Sequence, residues 1–234
     1  FCLPLLCLHL MRSLILVLFA FLCLVKCQLT LVDYTMMDMS VSLMANPSSV
    51  PGVTGIDLTR GMGLNQADRT AAFSSNSFAS GTTDVNVAVT NGDFLEFGFT
   101  TTMPYELVSM AFNHDRSPTG PTDLAFFIDI DGVVATMPFD TLMPVPDDNS
   151  GTDVVVNFPS GTMIQSSATI RIVGFGSTNG AGTYALFGTL SVFGVPGMTP
   201  CVSKRSFHEN RAIYKRRIAL LKGRSRDRKR LLKA

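Results

Sequence analysis

At 234 residues the chain has room for one sizeable core, and a composition 46% hydrophobic and only 16% charged excludes a disordered polyelectrolyte. The formal net charge of +1 is a cancellation: residues 28–200 hold sixteen acids against four arginines and no lysine, while residues 201–234 hold thirteen bases against two acids. With no lysine, no cysteine before Cys201 and one histidine, His114, the central region lacks a phosphate-binding P-loop, a zinc ligand set and the parts of Ser-His-Asp catalysis.

Met11 opens "MRSLILVLFAFLCLVKCQ", in which Arg12 gives a positive start and Ser13 to Val25 an apolar run of signal-peptide length. Val25 and Cys27 stand at −3 and −1 of a cleavage before Gln28. Residues 1–27 therefore read as a signal peptide with an upstream extension, and export to the cell surface or the extracellular space is expected, with membrane contact only through this segment. Four of the five cysteines fall in the leader, leaving Cys201 alone, so the domain at 28–200 has to hold by packing without an internal disulfide.

From Gln28 onward short runs alternate apolar and polar residues. Candidate strands, in chain order, are "QLTLVDY", "DMSVSLM", "DVNVAVT", "DFLEFGFT", "YELVSMAFN", "DLAFFIDI", "VVATMPF", "DVVVNFP", "ATIRIVGFG" and "TYALFGTLSVFG". Val85, Val87 and Val89 share a face in one of them, Leu95, Phe97 and Phe99 in the next, and Leu124, Phe126, Ile128 and Ile130 in another. Asn91-Gly92, Asp131-Gly132 and two Ser-Gly pairs supply turns between them. Residues 59–83 lack a sustained period and read as a long packed loop, anchored by Phe73 and Phe78. With no convincing helix before residue 206, the expected fold is all-β: a two-sheet antiparallel sandwich, jelly-roll-like.

Residues 201–234 change character. Ser206 and Glu209 fit a capping box, and Ile213, Arg217, Leu220 and Leu221 share a helical face. The basic residues Lys215, Arg216, Arg217, Arg224, Arg226, Arg228, Lys229 and Arg230 make this tail a candidate for an acidic partner, a polyanion or an anionic membrane; no specific nucleic acid is expected.

Three stretches, "DLTRGMGL" with "AFSSNSF", "RSPTGPTDLAFFIDIDG" and "TIRIVGFGSTNGAGTYALFGTLSVFG", together resemble exported bacterial β-sandwich proteins of the kind that often end in a Pro-Glu-Pro sorting signal. The likeness runs over roughly residues 29–196 and implies a secreted or surface-attached sandwich, in a family mostly without an established activity. Two departures are plain. Gly188 and Thr189 stand where that family tends to carry an Asp-Asn pair, and the basic tail stands where it has a transmembrane stretch.

Arg60, set in "DLTRGMGL" between Thr59 and the glycines Gly61 and Gly63, reads as a structural clasp, because a planar guanidinium donates two hydrogen bonds at once and the glycines let the chain turn tightly around it. Arg116, ahead of Ser-Pro-Thr-Gly-Pro, reads the same way. The acids Asp129, Asp131, Asp147 and Asp148 come from hairpins and loops and are candidates for a calcium ion, the one cofactor the sequence suggests. Catalytic residues are not expected, although a glycosidase pair of Asp93 with Glu96 or Glu106 is the alternative that a secreted hydrolase would need. The function read from these features is a non-catalytic surface or matrix module, adhesive or structural. A carbohydrate-binding module, with a surface polysaccharide as partner and calcium assisting, is the alternative. Against glycan binding stand the absence of tryptophan and the inward pattern of most phenylalanines, with Tyr34, Tyr105 and Tyr184 the only tyrosines of the sandwich.

Overall fold

The structure, a computed structural model, describes residues 28–36, 42–147 and 151–197. The leader, Asp148, Cys201 and the whole basic tail, with its expected helix and polyanion-binding residues, lie outside the described residues.

Twelve strands and one helix follow one another as β1 (Leu29–Thr35), β2 (Val53–Arg60), β3 (Asn65–Gln66), β4 (Ala72–Asn76), α1 (Val85–Asn91), β5 (Phe94–Thr101), β6 (Tyr105–Arg116), β7 (Asp123–Ile130), β8 (Asp140–Leu142), β9 (Thr152–Asn157), β10 (Met163–Ile164), β11 (Ser167–Phe175) and β12 (Tyr184–Pro196). They form two antiparallel sheets. One has seven strands, in the order β10-β6-β12-β4-β3 with β1 also on β12 and β9 also on β6; the other has the order β2-β5-β11-β7-β8. From β5 onward the chain passes repeatedly between the sheets, so hydrogen-bonded neighbours come from distant parts of the sequence, the connectivity of a jelly-roll-like sandwich.

The alternating residues meet between the layers. Leu31, Tyr34, Phe73, Met110, Phe112, Leu186 and Val192 from the seven-stranded sheet face Leu58, Leu95, Phe97, Phe99, Phe126, Ile170 and Ile172 from the five-stranded one in a single buried cluster. Each such side chain contributes about 1.5–3 kcal/mol by leaving water. Tyr34 rivets the layers: its hydroxyl, carried on β1, donates to the Gly98 carbonyl at 3.0 Å and accepts from the Gly98 N–H at 3.2 Å in the opposite sheet. Burial pushes this phenol well above its ordinary pKa.

Four sequence expectations are corrected. "DVNVAVT" is the helix α1 rather than a strand, so a helix does precede residue 206. Val85, Ala88 and Val89 share one face at helical spacing and pack with Ala125, Phe127, Val173 and Phe175 in a second cluster on the outer side of the five-stranded sheet, while Val87 points to solvent at 43% exposure. The Asp84 carboxylate caps the helix by accepting from the Asn86 N–H at 2.8 Å. Asn91-Gly92 ends it instead of joining two strands: Gly92 takes φ +80° and its N–H reaches Val89, while the Asp93 N–H reaches Ala88. The stretch 59–83 is not one loop, since it holds β3 and β4. "VVATMPF" is turn, with β8 starting only at Asp140. Of "DMSVSLM", residues 38–41 lie outside the described residues, and Leu43 makes an isolated bridge to Leu58.

Candidate functional site

The outer face of the seven-stranded sheet carries a groove of about 540 Å³ lined by residues of β6, β9 and β12. Strand register builds it. Phe187 on β12 stands opposite Asn113 on β6, and Asn113 stands opposite Asp153 on β9, so three residues far apart in sequence form one row across the sheet. The Asn113 amide donates to the Asp153 carboxylate at 2.9 Å, which fixes both side chains beside the ring. The next row, Ser191, Ala111 and Val155, continues the lining, with Val155 the exposed apolar side chain at its β9 end.

A break in the register of β12 opens this space. Its pairing with β6 shifts between Phe187 and Ser191, and at the same point its other edge passes from β4, which holds residues 184–187, to β1, which holds residues 189–194. Gly188 takes φ +60° there and accepts from the Met36 N–H at 2.7 Å. Gly188 and Thr189, the two positions where the resembled family tends to carry Asp-Asn, line the groove; its carboxylate and amide come from β9 and β6 instead. On the other side of Phe187, the Arg69 guanidinium lies 5.0 Å from the ring centre and pairs with the fully buried carboxylate of Asp115.

The residues singled out from sequence fall elsewhere. Arg60 ends β2 at the edge of the five-stranded sheet and crosses to β4 of the other, donating to the Ser75 hydroxyl at 2.9 Å and the Ser74 carbonyl at 2.8 Å and stacking 3.8 Å from the centre of the Phe73 ring. It joins two strands of opposite sheets. Gly61 and Gly63 pack where a side chain would strike backbone: a Cβ would sit 2.3 Å from the Gly92 oxygen at the first and 2.4 Å from the Asn91 oxygen at the second. Arg116 donates to the carbonyls of Val145 at 2.8 Å and of Ser117 and Pro118 at 3.1 Å, tying the end of β6 to two loops.

Of the acids proposed for calcium, Asp129 and Asp131 are engaged separately, and Asp148 lies outside the described residues. Asp129 accepts from Arg171 and from the Ala135 N–H, both at 2.8 Å. Asp131 sits at φ +51° in its hairpin and accepts from the N–H groups of Gln165, Ser166 and Ser167 and from the Ser166 hydroxyl. Desolvation pulls its pKa up, but these four donors outweigh it and hold the carboxyl below its ordinary value. Asp147 is exposed. Among the described residues no three acid, histidine or cysteine side chains converge on one point.

The hydrolase pair is similarly divided. Asp93 is buried and accepts from the Ala79 N–H at 3.0 Å, with burial raising its pKa against that bond. Glu96 stands opposite Arg171 in the five-stranded sheet, and Glu106 belongs to β6 in the other. His114 is fully buried on the inner face, 3.2 Å from the Tyr184 hydroxyl and edge-on to Phe112, as a core residue. Sequence reasoning missed Phe187, Asn113 and Asp153 as a group; the three tyrosines of the sandwich, Tyr34, Tyr105 and Tyr184, are all buried.

Sheets, core and groove define an antiparallel β-sandwich with an open groove on one outer face. No protein-family model matches the chain, and no curated protein does. Among solved structures it is similar to the xylan-binding CBM22-1 domain of Xyn10C from Paenibacillus barcinonensis, with a TM-score of 0.39 at 11% identity over 74% of this chain and 98% of that one. It is also similar to part of an arabinose-bound α-L-arabinofuranosidase, with a TM-score of 0.33 at 8% identity over 70% of this chain and 27% of that one.

Proposed function

We propose that the protein is a non-catalytic, exported adhesive module whose sandwich binds a polysaccharide in the groove on the outer face of the seven-stranded sheet. The row Phe187–Asn113–Asp153 carries this reading. A sugar ring has an apolar face of C–H groups and a rim of hydroxyls; it stacks on an aromatic side chain and exchanges hydrogen bonds with an amide and a carboxylate beside it. The groove offers these three groups in register, two of them held by their mutual hydrogen bond. Hydrolysis would require two carboxyl groups flanking the glycosidic bond, and Asp153 is the one carboxylate among the residues lining the groove.

The test is retention of the full chain on insoluble xylan, cellulose and mannan, followed by calorimetry with soluble forms and an assay for released reducing sugar. Retention on at least one neutral polysaccharide is expected. Phe187→Ala is expected to lose it while the chain keeps its native circular-dichroism spectrum, without sugar release at any stage. Failure to bind any polysaccharide refutes the reading, and sugar release makes the protein an enzyme.

A further inference from the structure

The chemistry of the groove is repeated along the same face. Where the first row reads Phe187, Asn113, Asp153 across β12, β6 and β9, a second reads Phe193, Ser109, Asn157 across the same three strands in the same order. In both, an aromatic ring on β12 is followed by a polar side chain on β6, then by a carboxylate or amide on β9; Ser109 is itself buried and accepts from the Gln28 amide at 3.4 Å, so the second row presents the ring and the Asn157 amide. Residues 109, 111 and 113, like 153, 155 and 157, alternate onto one face. Between the two rings the row holds the small Ser191 and Ala111, with Val155 standing exposed at its β9 end. Phe187 and Phe193 are each half-buried, and neither belongs to either buried cluster, unlike most of the phenylalanines in this domain. Thr30 on β1 stands opposite Phe193 and Asp33 opposite Ser191, continuing the polar lining toward the sheet's other flank.

The two rows are four residues apart on β6 and on β9, a separation of about 14 Å at the rise of an antiparallel strand. That distance exceeds one sugar ring and suits a run of several. Charge selects among chains. The face presents carboxylates, Asp153 and Asp33, and the guanidinium beside it, Arg69, is already paired with Asp115; residues 28–200 as a whole hold sixteen acids against four bases. A uronate-bearing chain is repelled by such a surface.

We infer that this face binds the interior of an extended neutral polysaccharide at two aromatic subsites, Phe187 and Phe193, and selects for chain length. The inference rests on the carbohydrate-binding reading above and adds to it the number of subsites and the ligand class. Linking two weak contacts through one ligand makes the second intramolecular, so affinity rises sharply once the ligand spans both.

The full chain is titrated by calorimetry with cello-, xylo- and manno-oligosaccharides from monosaccharide to hexasaccharide, and with an oligogalacturonate ladder. In the ladder that binds, affinity is expected to rise about tenfold or more between disaccharide and hexasaccharide. Phe193→Ala is expected to abolish that rise, so that the hexasaccharide binds no more tightly than the disaccharide, whereas Phe187→Ala lowers affinity at every length. Phe193→Leu, which keeps apolar volume but removes the flat ring, is expected to act like Phe193→Ala and guards against a folding defect. Length-independent affinity, or a rise that survives both Phe193 variants, overturns the two-subsite inference while leaving carbohydrate binding intact. Tighter binding of oligogalacturonates than of every neutral ladder overturns the ligand class. Absence of binding to every ladder and polysaccharide overturns this inference and the reading beneath it together.

Discussion

Replacing Arg60 by methionine tests how far one side chain fastens the two sheets at the end of β2. The guanidinium makes hydrogen bonds of 2.9 Å and 2.8 Å to Ser75 and Ser74 and stacks at 3.8 Å on Phe73. A hydrogen bond from a charged donor contributes roughly 1.5–3 kcal/mol, and a cation over an aromatic ring adds about 1 kcal/mol. Burial works against this: it lowers the pKa of Arg60 to about 10, and in a half-buried side chain it offsets part of the gain. Methionine keeps the apolar stem, removes the burial cost and loses the donors, so the expected net loss is about 2 kcal/mol. In a domain of this size that lowers Tm by roughly 4–8 °C. Urea denaturation followed by circular dichroism reads it directly. Arg60→Lys, which keeps the charge but not the planar fork, is expected to recover less than half of the loss. A double-mutant cycle with Phe73→Leu is expected to give a coupling of about 1 kcal/mol. If Arg60→Met unfolds within about 0.5 kcal/mol of the native chain, the clasp contributes nothing and packing alone joins the layers.

Arg69→Met leaves the fully buried Asp115 carboxylate without its counter-ion and is expected to cost about 3 kcal/mol in the same denaturation experiment; a loss below about 1 kcal/mol refutes a load-sharing pair. Gly92→Ala forces a side chain into the left-handed region and places its Cβ 2.8 Å from the Gly63 nitrogen, so it should cost clearly more than Gly132→Ala, which has the same strain and open space around it. Equal losses in the two variants would remove packing from the explanation. Because the Asp131 carboxyl titrates below its ordinary value when folded, the stability it contributes is fully present above the carboxylate range of the unfolded chain. That stability is lost as pH falls through the lowered value. The gap in melting temperature between native chain and Asp131→Asn should therefore narrow on acidification, and a gap constant with pH contradicts the assignment.

Much of the sandwich is written in alternation. Leu95, Phe97 and Phe99 lie inside as their spacing requires, because every second residue of a half-buried strand faces the core. The helix α1 escaped the same rule. Val85, Val87 and Val89 satisfy a period of two, while Val85, Ala88 and Val89 satisfy one of 3.6, and the β-branched valines favour a strand on propensity. Its readable signals were at the ends, Asp84 as the N-cap and Asn91-Gly92 as the left-handed stop. β4 was hidden for a different reason: Ala72, Phe73, Ser74 and Ser75 are all buried, so no polar face remained to mark a period. The groove was illegible because it is a matter of register. Alternation alone puts Phe187 and Phe193 on the face opposite Tyr184 and Leu186, but nothing within "TYALFGTLSVFG" says that Phe187 stands opposite Asn113 or that the strand slips in register between Phe187 and Ser191.

β1 and β12 lie antiparallel, with Leu29 beside Gly194 and Thr35 beside Thr189, so the described chain comes in and goes out at one pole of the sheet, and Phe187 sits toward the other end of β12. A tug between the two chain ends therefore opens the β1–β12 seam like a zip, one rung after another. A tug between a ligand held at Phe187 and the C-terminal side of the domain runs lengthwise down β12, whose rungs on both edges share the strain at the same moment. The same strand that yields easily to one direction of force is thus anchored against the direction in which an attached polymer would pull.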